Sequence, residues 1–329
     1  MTGMRAVSMR PHSVALDKMI NNGTSYRVLD HGFVRVVDYM GNDKAIVQAA
    51  RVSYGDGTKT SREDRALIRY LLRHRHTTPF EMCEVKLHVK MPIFVARQWI
   101  RHRTANVNEY SARYSLMKDE FYIPDKAWLE ALVRQEKTEK MSCPDLFGGV
   151  PSGDAPPLAH MAAQSTDNKQ GRGALLPKER ARHAVEHIRK ASKAAYNAYL
   201  TLLGKKKGKG EGYGVARELA RAVLPVNIYT EWYWKSDVHN LLHFLALRCH
   251  AHAQYEIRAY AETIYNKIMR PWLPLTCEAF DDYRLGAVHL SAGQRDVVRR
   301  MVRGETPNYE DYGLSAREIA ELKEHFSLP

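Results

Sequence analysis

The densest set of residues able to do chemistry lies between Arg97 and Tyr114. There Arg97, Arg101, His102, Arg103 and Arg113 bring potential cations into a short stretch whose one acid is Glu109. Guanidinium forks suit bidentate capture of phosphate oxygens. A solvated charged loop is the plain alternative for such a run. Against it, Trp99, Ile100, Val107 and Tyr114 interleave with the charges, and an exposed loop rarely carries so many large apolar groups. Partly buried arginines need anionic partners that Glu109 alone does not supply, so a bound phosphate or pyrophosphate is the expected complement. Ser111 lacks a neighbouring base other than Glu109, two residues away, and is better suited to positioning a ligand than to nucleophilic attack.

A second set follows Ser236. His239 and His243 lie four residues apart, with His250 and His252 beyond them. Two histidines one helical turn apart can share a metal, but a metalloenzyme needs further ligands and a base of the H-E-x-x-H kind. Neither is evident, and no metal is expected. The cysteines (Cys83, Cys143, Cys249, Cys277) form no C-x-x-C pair, so reduced interior thiols are expected rather than a zinc knuckle or a disulfide framework. The net charge of +13 suits a protein that handles polyanions. Some of that charge reads as solvated linker, at Lys205, Lys206, Lys207 and Lys209. No zinc-finger, RRM or homeodomain pattern supports a nucleic-acid-binding module.

The elements that must position these groups are partly legible. Partial alternation from Tyr26 to Val37 suggests a strand. Glu84 to Met91 alternates cleanly, with Val85, Leu87, Val89 and Met91 on one face, and predicts a half-buried strand. Pro92 ends it and is placed to open a helix through Phe94, Val95 and Trp99. Lys44 to Val52 and Arg62 to Arg75 carry helical spacing, the latter with Ser61 as cap. Gln98 and Arg101 then share a helix face, and residues 104–108 lack helical periodicity and read as a loop. Residues 144–177, rich in Pro, Gly, Ser and Asp, read as a long surface insertion. We expect a helix from Lys178 to Leu203 stopped by Gly204, and another from Asp237 to Met269 with Ser236 as cap and Pro271 beyond its end. The tail holds two short helices, the last opened by Ser315, Glu318 and the Leu314–Ile319 staple. Without regular βαβ alternation, the class is α+β: one mixed domain with a β-sheet core flanked by long helices. The expected organisation is an N-terminal arm (1–26), a catalytic domain (27–282, with the 144–177 loop insertion) and a helical C-terminal tail (283–329). No apolar run reaches the roughly 18–20 residues of a membrane span and no secretory leader is recognisable, so the cytoplasm is the expected compartment.

Residues 101–114, Arg-His-Arg-Thr-Ala-Asn-Val-Asn-Glu-Tyr-Ser-Ala-Arg-Tyr, resemble the signature of the flavin-dependent thymidylate synthases, R-H-R-x-x-S-x-N-E-x-S-x-R-Y. Every fixed position agrees except Asn106, which stands where the serine would be. Gly41-Asn42-Asp43, Ala49-Ala50-Arg51-Val52-Ser53, His76-Thr77-Thr78-Pro79-Phe80-Glu81, Arg221-Ala222-Val223-Leu224-Pro225, Leu247-Arg248 and His252-Ala253-Gln254 also resemble family segments. The resemblance covers roughly residues 27–125 and 180–282.

It implies the following. The activity is reductive methylation of dUMP to dTMP, with 5,10-methylenetetrahydrofolate as carbon donor, FAD as hydride carrier and NADPH as reductant. The dUMP-binding residues are those matching Gln98, Trp99, Ile100, Arg101, Glu109, Tyr110, Ser111, Ala112, Arg113, Arg221 and Arg248. Arg113 and Arg221 suit the phosphate dianion. Arg248 would be catalytic, favouring the ionised uracil and stabilising charge that develops on it; its structural alternative is an ion pair with Glu256. FAD contacts fall to Ser53, Thr78, Arg101, His102, Arg103, Glu109, Asp237, Val238, His239 and His243. One common family form has Asn, Arg and Asn where this chain has Asp237, His239 and His243, and capping of a helix is a further role open to Asp237. The family assembles as homotetramers with shared active sites. The polar 164–172 segment, with its two cations, is expected to fold over a ligand.

Overall fold

The clean alternation of Glu84–Pro92 becomes strand β3, and its apolar set, Val85, Leu87, Val89 and Met91, is fully buried. The computed structural model describes residues 11–52, 61–125, 161–166, 171–205 and 212–327, those from 62 on in the second span with their side chains. The chain divides into two units, 1–277 and 278–329.

In the first unit, β3 is the centre of a five-stranded antiparallel sheet. Its strands are β1 (Ser25–Val28), β2 (Gly32–Met40), β3, β4 (Asn106–Glu109) and β7 (Tyr229–Asp237), in the order β1-β2-β3-β7-β4. Register places Val36, Leu87 and Trp234 in one row, and Val34, Val89 and Trp232 in the next. This face is the core. The other face carries Arg35, His88 and Tyr233 in one row. The alternation of Tyr26–Val37 is therefore two strands rather than one, turned through Leu29-Asp30-His31, with Leu29 in the left-handed region (φ 60°). Gly32 is required just after this turn, because a Cβ there would collide with the Tyr260 hydroxyl and the Val28 and Lys90 carbonyls.

The helices of this unit include α1 (Val14–Asn21), α2 (Asp43–Arg51), α3 (Ser61–Arg73), α4 (Thr78–Glu81), α5 (Ile93–Trp99), α6 (Lys178–Leu202), α7 (Val238–Arg248) and α8 (Tyr255–Thr263). The arm is not loose throughout. Helix α1 is capped by Ser13, buries Leu16, and is tied to β2 by the Tyr39 hydroxyl, which donates to Asp17 at 2.6 Å. The single helix expected over 237–269 is broken at 249–254. Ala253 N–H turns back to the His250 carbonyl, Gln254 is extended (φ −54°, ψ 133°), and α8 restarts at Tyr255 before widening into a π-helical stretch, Ile264–Met269. Ser236 belongs to β7, and the cap is Asp237, whose carboxylate accepts the Asn240 N–H. A strand running straight into the helix displaces the cap by one residue. Pro271 lies inside a short helical piece, Arg270–Trp272, rather than beyond the run.

Within the insertion, the described residues form an antiparallel ribbon, β5 (Ala162–Gln164) and β6 (Arg172–Leu175), instead of an irregular loop. Pairing between the two arms, not composition, makes the structure there. Gly204 ends α6 region in the left-handed conformation (φ 71°). Among the described residues no helix is long and apolar enough to cross a membrane, and no three His, Cys, Asp or Glu side chains gather as a metal ligand set.

The second unit contains α9 (Ala292–Val302) and α10 (Ala316–Phe326), each opened by a complete capping box, Ser291 with Gln294 and Ser315 with Glu318. Val297, Leu314 and Leu322 form its small core, with Ile319 packed against them.

Candidate active site

Helix α5 leaves β3 at Pro92, whose extended backbone (φ −63°, ψ 146°) makes the corner. Its start is pinned by Ile93 N–H to the Ile228 carbonyl and Phe94 N–H to the Val226 carbonyl, both 3.0 Å. Its end is locked by Trp99, fully buried and stacked on Phe244 (4.6 Å between ring centroids), with Trp232, Trp234 and Tyr260 around it. This packing aims the residues that follow. Trp99 and Val238 are wholly interior, main chain included, so their part in a ligand site is to hold the neighbouring residues in place. Ile100 is 45% exposed. The Gln98 Oε1 atom is buried and has no hydrogen-bond partner, an acceptor that a ligand donor would satisfy.

Beyond α5 the expected loop at 104–108 is strand from Asn106 onward. Strand β4 is a four-residue edge, exposed at every position, so it shows no alternation to read. Pairing with β7 defines it and sets Glu109 opposite Trp232. Glu109 accepts a hydrogen bond from the Thr230 hydroxyl at 2.7 Å, and Tyr110 N–H reaches the Glu231 carbonyl at 2.8 Å. The chain then turns, with Tyr114 and Ser115 N–H both on the Ser111 carbonyl and Arg113 N–H on the Ser111 Oγ at 3.3 Å. The Ser111 hydroxyl thus serves the turn as an acceptor.

This turn forms one wall of a cleft of about 500 Å³. Glu109, Tyr110, Ser111 and Ala112 face Arg221, with Arg97 at the side and Ile93, Met117 and Val226 among the apolar lining. Segments more than a hundred residues apart in sequence meet here. Arg113 stands outside the lining, its Nε 3.7 Å from Glu218, and both side chains are more than half exposed. The Arg221 Nε–H is held on the Glu218 carbonyl at 3.3 Å.

A second group surrounds His102. The Arg248 Nε–H donates to His102 Nε2 at 3.1 Å. The His102 ring meets Phe244 edge-on (5.0 Å) and His243 at 5.8 Å. Burial, then the Arg248 and His243 charges, push the His102 pKa down to about 4, and burial lowers that of Arg248. Arg248 is not paired with Glu256. That carboxylate, 3% exposed, is taken by Arg172 Nη2 (2.5 Å), the Tyr122 hydroxyl (3.0 Å) and Gln254 Nε2 (2.9 Å). Arg101 and Arg103 are exposed, and among the described residues neither has an anionic partner.

Asp237 spends both oxygens on Asn240, accepting its N–H at 2.9 Å and its Nδ2 at 2.7 Å. Asn240 in turn accepts from the Thr104 hydroxyl at 2.6 Å, which fastens the segment after Arg103 to the start of α7. His239 is half-buried, His243 is exposed, and Thr78 is exposed at the start of α4, which packs on α7. Ser53 lies outside the described residues. Asn240 was not singled out from sequence, although it has a local signal, an amide three residues after an acid at a helix start. Arg97 was grouped with the cation cluster without a ligand role. Arg172, in the segment expected to fold over a ligand, instead pairs with Glu256, 84 residues away.

The arrangement therefore offers a cleft with Arg221 in its lining, a patch of unpaired guanidiniums at Arg101 and Arg103, and a half-buried cation at Arg248. Residues 35–275 match the family model described as thymidylate synthase complementing protein. A flavin-dependent thymidylate synthase of Ruegeria pomeroyi is 52% identical over 324 residues, covering 96% of this chain and 95% of the relative. One from Gluconobacter oxydans is 50% identical over 316 residues, covering 96% and 91%. Among solved structures, a UMP/dUMP methylase from Streptomyces cacaoi bound with 5-Br dUMP is 30% identical, with a TM-score of 0.61, covering 78% of this chain and 98% of that one.

Proposed function

This chain belongs to the flavin-dependent thymidylate synthases, and on that premise we propose how its residues divide the work of reductively methylating dUMP to dTMP. Methylenetetrahydrofolate provides the carbon and leaves as tetrahydrofolate, and NADPH is the reductant. FAD, when bound, supplies the hydride-carrying chemistry; the protein's task is to bind, orient and polarise. The observation that carries the reading is the cleft in which Glu109–Ala112 meets Arg221.

In that cleft Arg221, with Arg113 swinging from its exposed contact with Glu218, takes the dUMP phosphate. The main chain of Tyr110–Ala112 lines the nucleotide. Gln98, whose buried carbonyl oxygen lacks a donor, offers an acceptor to the uracil side. Ile100 and Arg101, held in place by the buried Trp99, complete the dUMP set. The unpaired Arg101 and Arg103 suit the pyrophosphate of FAD, and Ser53, Thr78, His102, Glu109, Asp237, Val238, His239 and His243 are assigned to the same cofactor. Both Asp237 oxygens are engaged within its own helix cap, by Asn240. Arg248, half-buried and cationic, is set to polarise the uracil ring as its C5 hydrogen leaves as a proton.

Arg248 and His102 do not line the same cleft as Arg221. This supports a homotetramer in which one protomer's cleft is completed by its partner's cationic group. We further assign the catalytic domain to 27–282, with the 144–177 insertion, the remaining 283–329 to a helical tail, and the protein to the cytoplasm. The deciding experiment is tritium release from labelled dUMP with NADPH, FAD and methylenetetrahydrofolate, comparing wild type with Arg248→Ala. Release by wild type and its loss in the variant are expected; an inactive wild type would defeat the assignment.

A further inference from the structure

The mechanism needs the Arg248 guanidinium in one place, yet an arginine at the end of a helix has four rotatable side-chain bonds and much rotamer freedom to lose. Its Nε–H is the atom nearest the rigid part of the side chain, and it is already engaged by His102 Nε2 at 3.1 Å. Fixing Nε leaves the two terminal nitrogens, those suited to a pyrimidine edge, free to point elsewhere. His102 is itself immobilised. Its N–H closes the last turn of α5 on the Trp99 carbonyl at 3.0 Å. Its ring stands edge-on to Phe244, which stacks on the fully buried Trp99. The line from Trp99 through Phe244 to His102 therefore transmits the rigidity of the aromatic core to the guanidinium.

We propose that His102 is the positioning residue for Arg248, acting as a hydrogen-bond acceptor through Nε2, in addition to any contact it makes with the flavin. The chemistry requires the Nδ1–H tautomer, since Nε2 must present a lone pair. A protonated ring would turn the acceptor into a donor and oppose the guanidinium; burial and the neighbouring Arg248 keep the ring neutral, with a pKa of about 4.

The inference rests on the uracil-polarising role given to Arg248, and the test separates the two. Full-length, flavin-loaded His102→Phe keeps an aromatic ring against Phe244 but has no acceptor; His102→Gln lacks the ring but can place a carbonyl oxygen where Nε2 stood. Tritium release per bound flavin should fall roughly 10- to 100-fold in His102→Phe, the scale expected when a reacting group is misplaced by about an ångström, and recover most of that loss in His102→Gln. dUMP affinity should weaken in His102→Phe against the wild-type background but not against Arg248→Ala, because His102 then has nothing left to position. If Arg248→Ala releases tritium at the wild-type rate, the role of Arg248 falls. If Arg248→Ala is impaired while His102→Phe is as active as wild type, or no worse than His102→Gln, the positioning role is overturned and that of Arg248 stands. Should His102→Phe fail to fold, His102→Leu replaces it in the same comparison. Nitrogen-15 NMR of the flavin-bound wild type gives an independent reading: an Nε2–H tautomer at His102 overturns the proposal.

Discussion

Glu256 tests the energetics of the fold most directly, because a buried carboxylate gathers three otherwise separate segments. Arg172 comes from the ribbon, Tyr122 from the chain following β4, and Gln254 from the break between α7 and α8. Glu256→Ala takes the acceptor from all three donors at once. The buried Tyr122 hydroxyl loses its partner, at a cost of about 1–3 kcal/mol. One buried methylene disappears, at about 0.8 kcal/mol. The Arg172 side chain is 38% exposed and can turn to water, so its share is discounted. The total is about 2–4 kcal/mol, overlapping the range for removing one member of a buried pair. Arg172→Ala leaves two of the three donors in place and lets water approach from the exposed ribbon, so it should cost about 1–2 kcal/mol. Urea unfolding followed by the fluorescence of Trp99, Trp232 and Trp234 measures both. A Glu256→Ala variant within 1 kcal/mol of wild type, or one less damaging than Arg172→Ala, would refute the assignment of Glu256 as the joint.

The remaining expectations are narrower. The folded-state pKa of His102, about 4, lies below the ordinary 6.5. Unfolded chains therefore bind the extra proton between those values, and this contribution to stability is present above pH 6.5 and lost as pH falls towards 4; melting temperatures across that window should slope less in His102→Phe than in wild type. Asp237→Ala should destabilise by about 1 kcal/mol through loss of the cap, and Asp237→Asn by only a few tenths, since an amide oxygen caps equally well; thermal melts that rank them otherwise count against the capping role. Arg221→Ala should raise the KM for dUMP roughly 10- to 100-fold, the equivalent of one or two charge-assisted hydrogen bonds, with flavin content retained; an unchanged KM would move the phosphate elsewhere.

What could be read from the sequence was whatever one segment encodes by itself. The β3 alternation, the Pro92 corner, the Gly204 stop and the Ser315–Glu318 box are local patterns, and all appear in the fold. The cation cluster at Arg101–Arg113 likewise suggested an anion site from composition, and family resemblance supplied the residue roles. Features made by distant pairing were not legible. Strand β4 exists because β7 pairs with it, the ribbon because its two arms meet, and the Arg172–Glu256 pair because chain segments far apart converge. The break at 249–254 was hidden for another reason. An apolar period can continue in phase through a short interruption, and here the halves on both sides still bury Leu245 and Ile257.

That break makes α7 a ruler with one fixed end and one open end. Its eleven residues, Val238–Arg248, span about 16 Å at 1.5 Å per residue, and each residue turns the helix by about 100°. Asp237, tied to Thr104 through Asn240, sets the zero of this scale, and Arg248 is its last graduation. Both the distance between the two ends and the heading of the guanidinium are therefore integers of the sequence. One residue added inside α7 would rotate Arg248 by more than a quarter turn away from His102. A residue added just past Arg248, in 249–254, would leave its heading untouched, so length is constrained up to Arg248 and relaxed immediately after it.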